Sequence, residues 1–369
     1  MKSKNLQDKE KHILHSINVN KVILPIIIGV VVIVYLMMRN LSIEELKEIR
    51  WDSRVFSWLG LAVLVYVIRH LFYSWRLRMM SDYVFSWWKS IELIFIWEFS
   101  SAVSPSSIGG SGVALFFLSQ EKLSGAKTVS IVLYSMVQDT LFMILSLLAL
   151  YIFLGPIMIR PGMNSLTDLD GYGYTFIGLV LFMSAYGFIF FYGLFINPIS
   201  IKRFFLALSK WKIFGRFKSS LRQTALDIVA TSHELSSKSL LYHFKVFLST
   251  AGAWTSRFLT INLIIIALIP TTPTDFYDQL LIYARSETMY NLTAFVPTPG
   301  SSGATEVLFG GFFEEYISPG ISSLVVLVWR LITYYPYLII GLFVVPNWIR
   351  KILILHNEEA EAENVENSN

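Results

Sequence analysis

The sequence of 369 residues contains no cysteine. That excludes structural disulfides, thiol nucleophiles, cysteine-ligated zinc and iron–sulfur clusters. Charge is scarce too: 15% of residues are Asp, Glu, Lys or Arg against 54% apolar. This balance excludes an ordinary water-soluble globule and points to a chain embedded in lipid. Twelve prolines and 21 glycines are scattered among hydrophobic runs, not gathered in polar tracts, which argues against a disordered or fibrous chain. Catalytic signatures are also missing: there is no H-E-x-x-H, no paired-Asp prenyl-diphosphate motif, no Walker loop and no G-x-S-x-G elbow. No catalytic residue, metal site or cofactor is therefore expected, and the chain is read as a non-enzyme. Its net charge of +4 fits Lys and Arg held in cytoplasmic loops better than a nucleic-acid-binding surface.

What is present is a series of long apolar runs. Val22 to Met38 would reach roughly 26 Å as a helix, close to a hydrocarbon core. Further runs at 55–75, 128–154, 172–196, 241–269 and 319–345 make six expected spans. Two other apolar stretches, 90–118 and 276–318, are interrupted by Pro, Gly and Ser at Ser104 to Gly112 and at Pro297 to Gly303. Lys and Arg accumulate in 1–21, 76–89, 119–127, 197–240 and the C-terminal tail, which puts these segments on the cytoplasmic side; 39–54, 155–171 and 270–275 then lie outside. Threading the chain through that assignment makes both broken stretches re-entrant hairpins that enter from opposite faces. The expected fold is thus an all-α polytopic membrane protein of six spans and two opposed hairpins in an inverted repeat. Its parts are a cytoplasmic tail (1–21), a first repeat (22–154), a second repeat (155–345) and an acidic cytoplasmic tail (346–369). The second repeat contains a basic amphipathic segment at 197–240, readable as a leaflet-bound helix or as a plain cytoplasmic linker. Ser42 and Glu45 form a capping box for a short surface helix, and Glu358 to Asn369 is expected to be disordered.

Arg69, Glu92, Glu98, Asp139, Lys245, Arg257, Arg285, Glu287, Glu306 and Arg330 all fall within hydrophobic stretches. At roughly 3 kcal/mol each they could not all stand unpaired, given a net fold stability of about 5–15 kcal/mol. Lys245 and Arg69 lie near inner ends of spans and are expected to snorkel. Asp139, Arg257 and Arg330 lie deeper and are expected to line a polar cavity or to form a helix-locking pair, such as Asp139 with Arg257. Each Gly-rich break followed by a short helix leaves backbone N–H groups and a positive dipole end that suit a phosphate, although the same breaks also suit a tight packed turn. The candidate headgroup site comprises Gly109, Gly110, Gly300, Ser301, Ser302, Gly303, Glu306, Asp139, Arg257 and Arg330, with Ser106 and Ser107 as further hydroxyl donors. Glu306 would compete with the phosphate for an arginine or carry a proton. Tyr334-Tyr335-Pro336 predicts a kinked helix that brings phenols near Arg330.

With these residues in hand, the chain resembles the flippase-like integral membrane family that includes the transmembrane flippase region of lysylphosphatidylglycerol synthases. The resemblance covers nearly the whole chain. It rests on Arg76 to Met80, on Pro105 with Gly109-Gly110, on the P-T-P-G-x-x-G-x-x-E run from Pro297 to Glu306, and on Arg330 with Thr333-Tyr334-Tyr335 and Gly341. It implies translocation of lipids with modified or glycosylated headgroups across the cytoplasmic membrane. No soluble aminoacyl-transferase domain follows, so lysyl-lipid synthesis is not expected. The leading expectation is a flippase for an anionic phospholipid or a polyprenyl-linked lipid. Two alternatives stay open: a membrane enzyme acting on a lipid phosphate, and a non-transporting lipid-binding partner of an envelope-biosynthesis enzyme. A homodimer is equally compatible with the sequence.

Overall fold

The computed structural model describes residues 47, 49, 51–104, 107–121, 123–168, 171–210, 218–294, 296, 298–301 and 303–366, and the regular structure among them is helical. The helices are α1 (Ser53–Met80), α2 (Trp87–Val103), α3 (Ser107–Ser119), α4 (Gly125–Leu154), α5 (Tyr172–Phe191) and α6 (Pro198–Leu208). They continue as α7 (Lys218–Ser237), α8 (Leu240–Leu268), α9 (Phe276–Thr293), α10 (Ala304–Phe312), α11 (Pro319–Thr333) and α12 (Tyr335–Glu366). Among the described residues, five stretches are long and apolar enough to cross a bilayer: 53–80, 125–158, 172–196, 240–268 and 319–352. They match five of the six spans expected from hydropathy. The sixth, Val22 to Met38, lies outside the described residues, as do the Ser42 cap, Pro105, Ser106, Pro297 and Ser302.

Helix starts follow local side-chain chemistry. Asp52, Ser86, Ser124, Ser239 and Asp275 each accept hydrogen bonds from backbone N–H groups in the first turn of α1, α2, α4, α8 and α9, satisfying donors that have no intrahelical partner. The break expected at Tyr334-Tyr335-Pro336 is found: α11 ends at Thr333, and α12 opens at Tyr335 with Pro336 in its first turn. The acidic tail is not disordered as far as Glu366, because α12 runs on through it. Its Glu- and Ala-rich sequence favours helix intrinsically.

α1 and α8 pack along each other at the centre. Gly252 of α8 admits the Phe72 ring of α1, and a Cβ there would overlap it. Around this pair lie three apolar clusters. One joins the C-terminal half of α1 to α2, α3, α4 and α12; a second joins its N-terminal half to α8, α9, α10 and α11; a third joins α4, α5, α8 and α9. Each broken stretch folds back on itself. In the first, Lys89 in the first turn of α2 meets Glu121 after α3 at 2.6 Å. In the second, Asp278 in the first turn of α9 accepts a hydrogen bond of 2.6 Å from the Tyr316 hydroxyl beyond α10.

Ion pairs gather the basic loops at one end of the molecule. Asp82 holds Lys127 at 2.6 Å and Lys238 at 2.7 Å, and Lys127 also pairs with Glu234. Partial burial pushes the Asp82 carboxyl up, and the two lysines outweigh it, leaving it below the ordinary aspartate value. Lys89, Glu92, Glu121 and Lys351 make a second group. These contacts unite segments 76–89, 119–127, 197–240 and the C-terminal tail, the same segments that the charge pattern assigns to one side.

Candidate functional site

A cavity of about 280 Å³ opens between the two folded-back stretches, walled by α1 to α4 and α8 to α12. Four arginines line it: Arg69, Arg76, Arg257 and Arg330. Arg69 and Arg76 are two turns apart on one face of α1. Tyr73 lies between them with its ring 4.7 Å from each guanidinium carbon, a cation–π arrangement that holds both cations off lipid.

Three of these arginines have a carboxylate. Arg69 bonds Glu98 at 2.8 Å and the Tyr337 hydroxyl at 2.9 Å. Arg76 bonds Asp139 at 2.5 Å, and Trp254 donates its indole N–H to the same carboxylate at 2.9 Å. Arg330 bonds Glu306 through Nε at 2.8 Å and the Gly300 carbonyl through Nη1 at 3.2 Å, while its Nη2 is buried without a partner. Arg257 differs. It is half-buried against the cavity, its guanidinium sits 4.5 Å over Tyr290 and 5.5 Å over Trp254, and it makes no ion pair among the described residues. The expected Asp139–Arg257 pair is therefore corrected: the partner of Asp139 is Arg76, which reaches it from the neighbouring α1.

Arg69 does not snorkel either. It is 1% exposed and faces inward, because α1 runs on to Met80 and carries this residue well inside the protein. Lys245 is exposed, as snorkelling requires. Arg76, which the sequence suggests is a loop charge, is buried at the cavity. Hydropathy conceals both arginines. The one signal for them in sequence is the heptad spacing Arg69, Tyr73, Arg76 on a single helix face.

Of the other expected site residues, Asp139, Arg257, Gly300, Ser301 and Arg330 line the cavity. Gly110, Gly303 and Glu306 are not among its lining residues, and α2 and α3 contribute Ser101, Ala102 and Ser111 instead; the contacts of Gly109 lie outside what is described. Gly110 is packed against Ser101, where any Cβ would collide, so this glycine serves the close approach of α2 and α3. Glu306 occupies the N-terminus of α10 from within: it accepts the Gly303 N–H at 2.7 Å and holds Arg330 with its other oxygen. The positive helix end is thus already met by the chain's own carboxylate, and the chemistry open to an anion lies on the cavity wall at Arg257 and Arg330. Gly300 (φ +58°) and Ser301 (φ +52°) form a left-handed tip, with the Ser301 hydroxyl donating to the Thr293 carbonyl at 2.7 Å. Tyr334 stacks 4.9 Å from the Arg330 guanidinium, so the kink does bring a phenol to that arginine. Among the described residues no cluster of three His, Cys, Asp or Glu has metal-binding geometry.

Comparison with known proteins adds the family. A UPF0104 membrane protein of Archaeoglobus fulgidus is 24% identical over 309 residues, covering 80% of this chain and 88% of that protein. The sequence model of the lysylphosphatidylglycerol synthase TM region matches residues 22–341. With five helices apolar and long enough to cross a bilayer and a family match over most of its length, the chain is an integral membrane protein that belongs to the family of the lysylphosphatidylglycerol synthase TM region.

Proposed function

We propose that this protein moves a lipid with an anionic phosphate headgroup, a phospholipid or a polyprenyl-linked lipid, across the cytoplasmic membrane without chemically altering it. The observation that carries the reading is Arg257: a cation at the centre of a membrane protein, facing a cavity, braced by two aromatic rings and making no ion pair among the described residues. A lone guanidinium at that depth is costly unless an anion joins it. Its planar fork suits two phosphate oxygens, and Arg330 Nη2 is a further unused donor on the same cavity. The acyl chains would stay in the bilayer while the headgroup enters.

The proposed topology has both termini cytoplasmic, with 22–38 as the first of six spans, and α2–α3 and α9–α10 as re-entrant hairpins from opposite faces. The domain limits are those given by the sequence. The mouth contacts Lys89–Glu121 and Asp278–Tyr316 support hairpins that leave on the side they enter. The central pairing of α1 with α8 supports a repeat, since these are corresponding helices of the two halves.

The test is transport by the purified protein in vesicles containing labelled phosphatidylglycerol or a labelled polyprenyl phosphate. Wild type should move the label between leaflets with its chemistry unchanged. Arg257→Gln should slow movement at least about tenfold, the equivalent of one charged hydrogen bond of ~1.5 kcal/mol, and Arg257→Lys should recover only part of the rate. Wild-type rates in the Gln variant, or turnover of the label, would sink the reading.

A further inference from the structure

Glu287 stands apart from the carboxylates of the cavity. It is wholly buried near the middle of α9. The Ser146 hydroxyl of α4 donates to one of its oxygens at 2.7 Å, and the other oxygen has no partner. Glu98, Asp139 and Glu306 each hold an arginine, whereas Glu287 holds no cation among the described residues.

Its surroundings account for this. On its own helix, Arg285 is turned away to Glu315 at 2.8 Å and to the Ile157 carbonyl at 3.3 Å. Asn291 donates to the Glu287 backbone carbonyl and not to its carboxyl. Tyr283 lies one turn earlier and has Ser146 in common with Glu287, while Thr255 of α8 is a partner of Tyr283 alone. Arg257 of α8 rests over the Tyr290 ring and makes no ion pair with Glu287. Among the described residues, α5, α10 and the turn at 155–158 bring no charged side chain into an ion pair with it. A carboxylate with one hydroxyl donor and no counter-ion is not a stable buried species, whereas a neutral carboxyl is.

The position also has a mechanical link to the lipid site. Tyr290, one turn further along the same face of α9, lines the cavity and carries Arg257. We propose that Glu287 is a proton-binding site that couples movement of the lipid to movement of a proton, an inference that rests on the lipid-transport reading above. In the closed arrangement the carboxyl keeps its proton. When α9 shifts and water reaches the group, the O–H bond breaks, the proton passes to water and the carboxylate is solvated; closure requires a proton to be taken back from water. The role that the sequence suggests for Glu306 thus falls to Glu287, because Glu306 is already satisfied as an anion by Arg330 and the Gly303 N–H.

Two measurements test it. Infrared difference spectra of the purified protein, titrated with base, should contain the carbonyl stretch of a protonated carboxyl that disappears as the group ionises and is absent from Glu287→Gln. In vesicles with an imposed pH difference, wild-type lipid movement should change severalfold when the gradient is reversed, while the isosteric Glu287→Gln variant should move lipid at a rate independent of the gradient. No such band in wild type, or a Gln variant that still follows the gradient, would overturn the inference. A wild-type protein that has the band but moves no lipid would overturn the transport reading and the coupling, while leaving the proton site in place.

Discussion

Asp82 is a residue whose local cost is visible. It and Tyr83 both adopt left-handed backbone, at φ +51° and +63°, just past the end of α1, a conformation that costs roughly 1–2 kcal/mol for a residue with a Cβ. Two lysines from distant segments hold it there. Because its carboxyl titrates lower in the folded protein than in the unfolded chain, its stabilisation is fully present above the ordinary aspartate value of about 3.9 and is lost as pH falls through the lower folded value. The melting temperature in detergent should therefore drop on acidification below about pH 4, and Asp82→Asn should remove part of that drop while lowering stability at neutral pH. An unchanged acid profile in the Asn variant would count against the two lysine contacts. Such pairs are hard to read from sequence. Asp139 and Arg330 announce themselves by depth in an apolar run, but the partner of Asp139 is 63 positions away on another helix, and only packing selects Arg76 over Arg257.

At the scale of elements, hydropathy locates the five long helices among the described residues, because a bilayer-length apolar run admits few alternatives. It was a poor guide to the hairpin tips. The Pro/Gly breaks signal a change of direction, yet not that Glu306 reaches back to fill the end of its own helix. The second tip is the more demanding of the two. Gly300 is left-handed, its absent side chain leaves room for the Tyr334 ring, and its carbonyl takes a hydrogen bond from Arg330. Gly300→Ala should cost about 1–2 kcal/mol in backbone strain alone and more through the ring contact. The checks are a lowered melting temperature and transport reduced at least about tenfold. An Ala variant as stable and active as wild type would mean that the tip is not built as described.

For the whole molecule, the arrangement of ends is the property open to direct test, and a chain with no native cysteine suits it. Ser124 and Pro319 are both exposed at helix starts. Single cysteines placed there should react with an impermeant thiol reagent from opposite faces of intact cells, Ser124→Cys from the inside and Pro319→Cys from the outside. Labelling of both from one face would remove the inverted repeat.

One consequence follows from the way the four arginines share three carboxylates. Among the described residues the protein is one counter-ion short, and under the lipid-transport proposal a bound lipid phosphate would supply it. Occupancy then raises stability by the mass-action term RT ln(1 + [L]/Kd), about 2.7 kcal/mol at a hundredfold excess over Kd. On the same proposal, detergent that strips the lipid would remove that stabilisation along with the cargo. On that proposal, the unloaded protein, waiting for a headgroup, is the least stable species of the cycle.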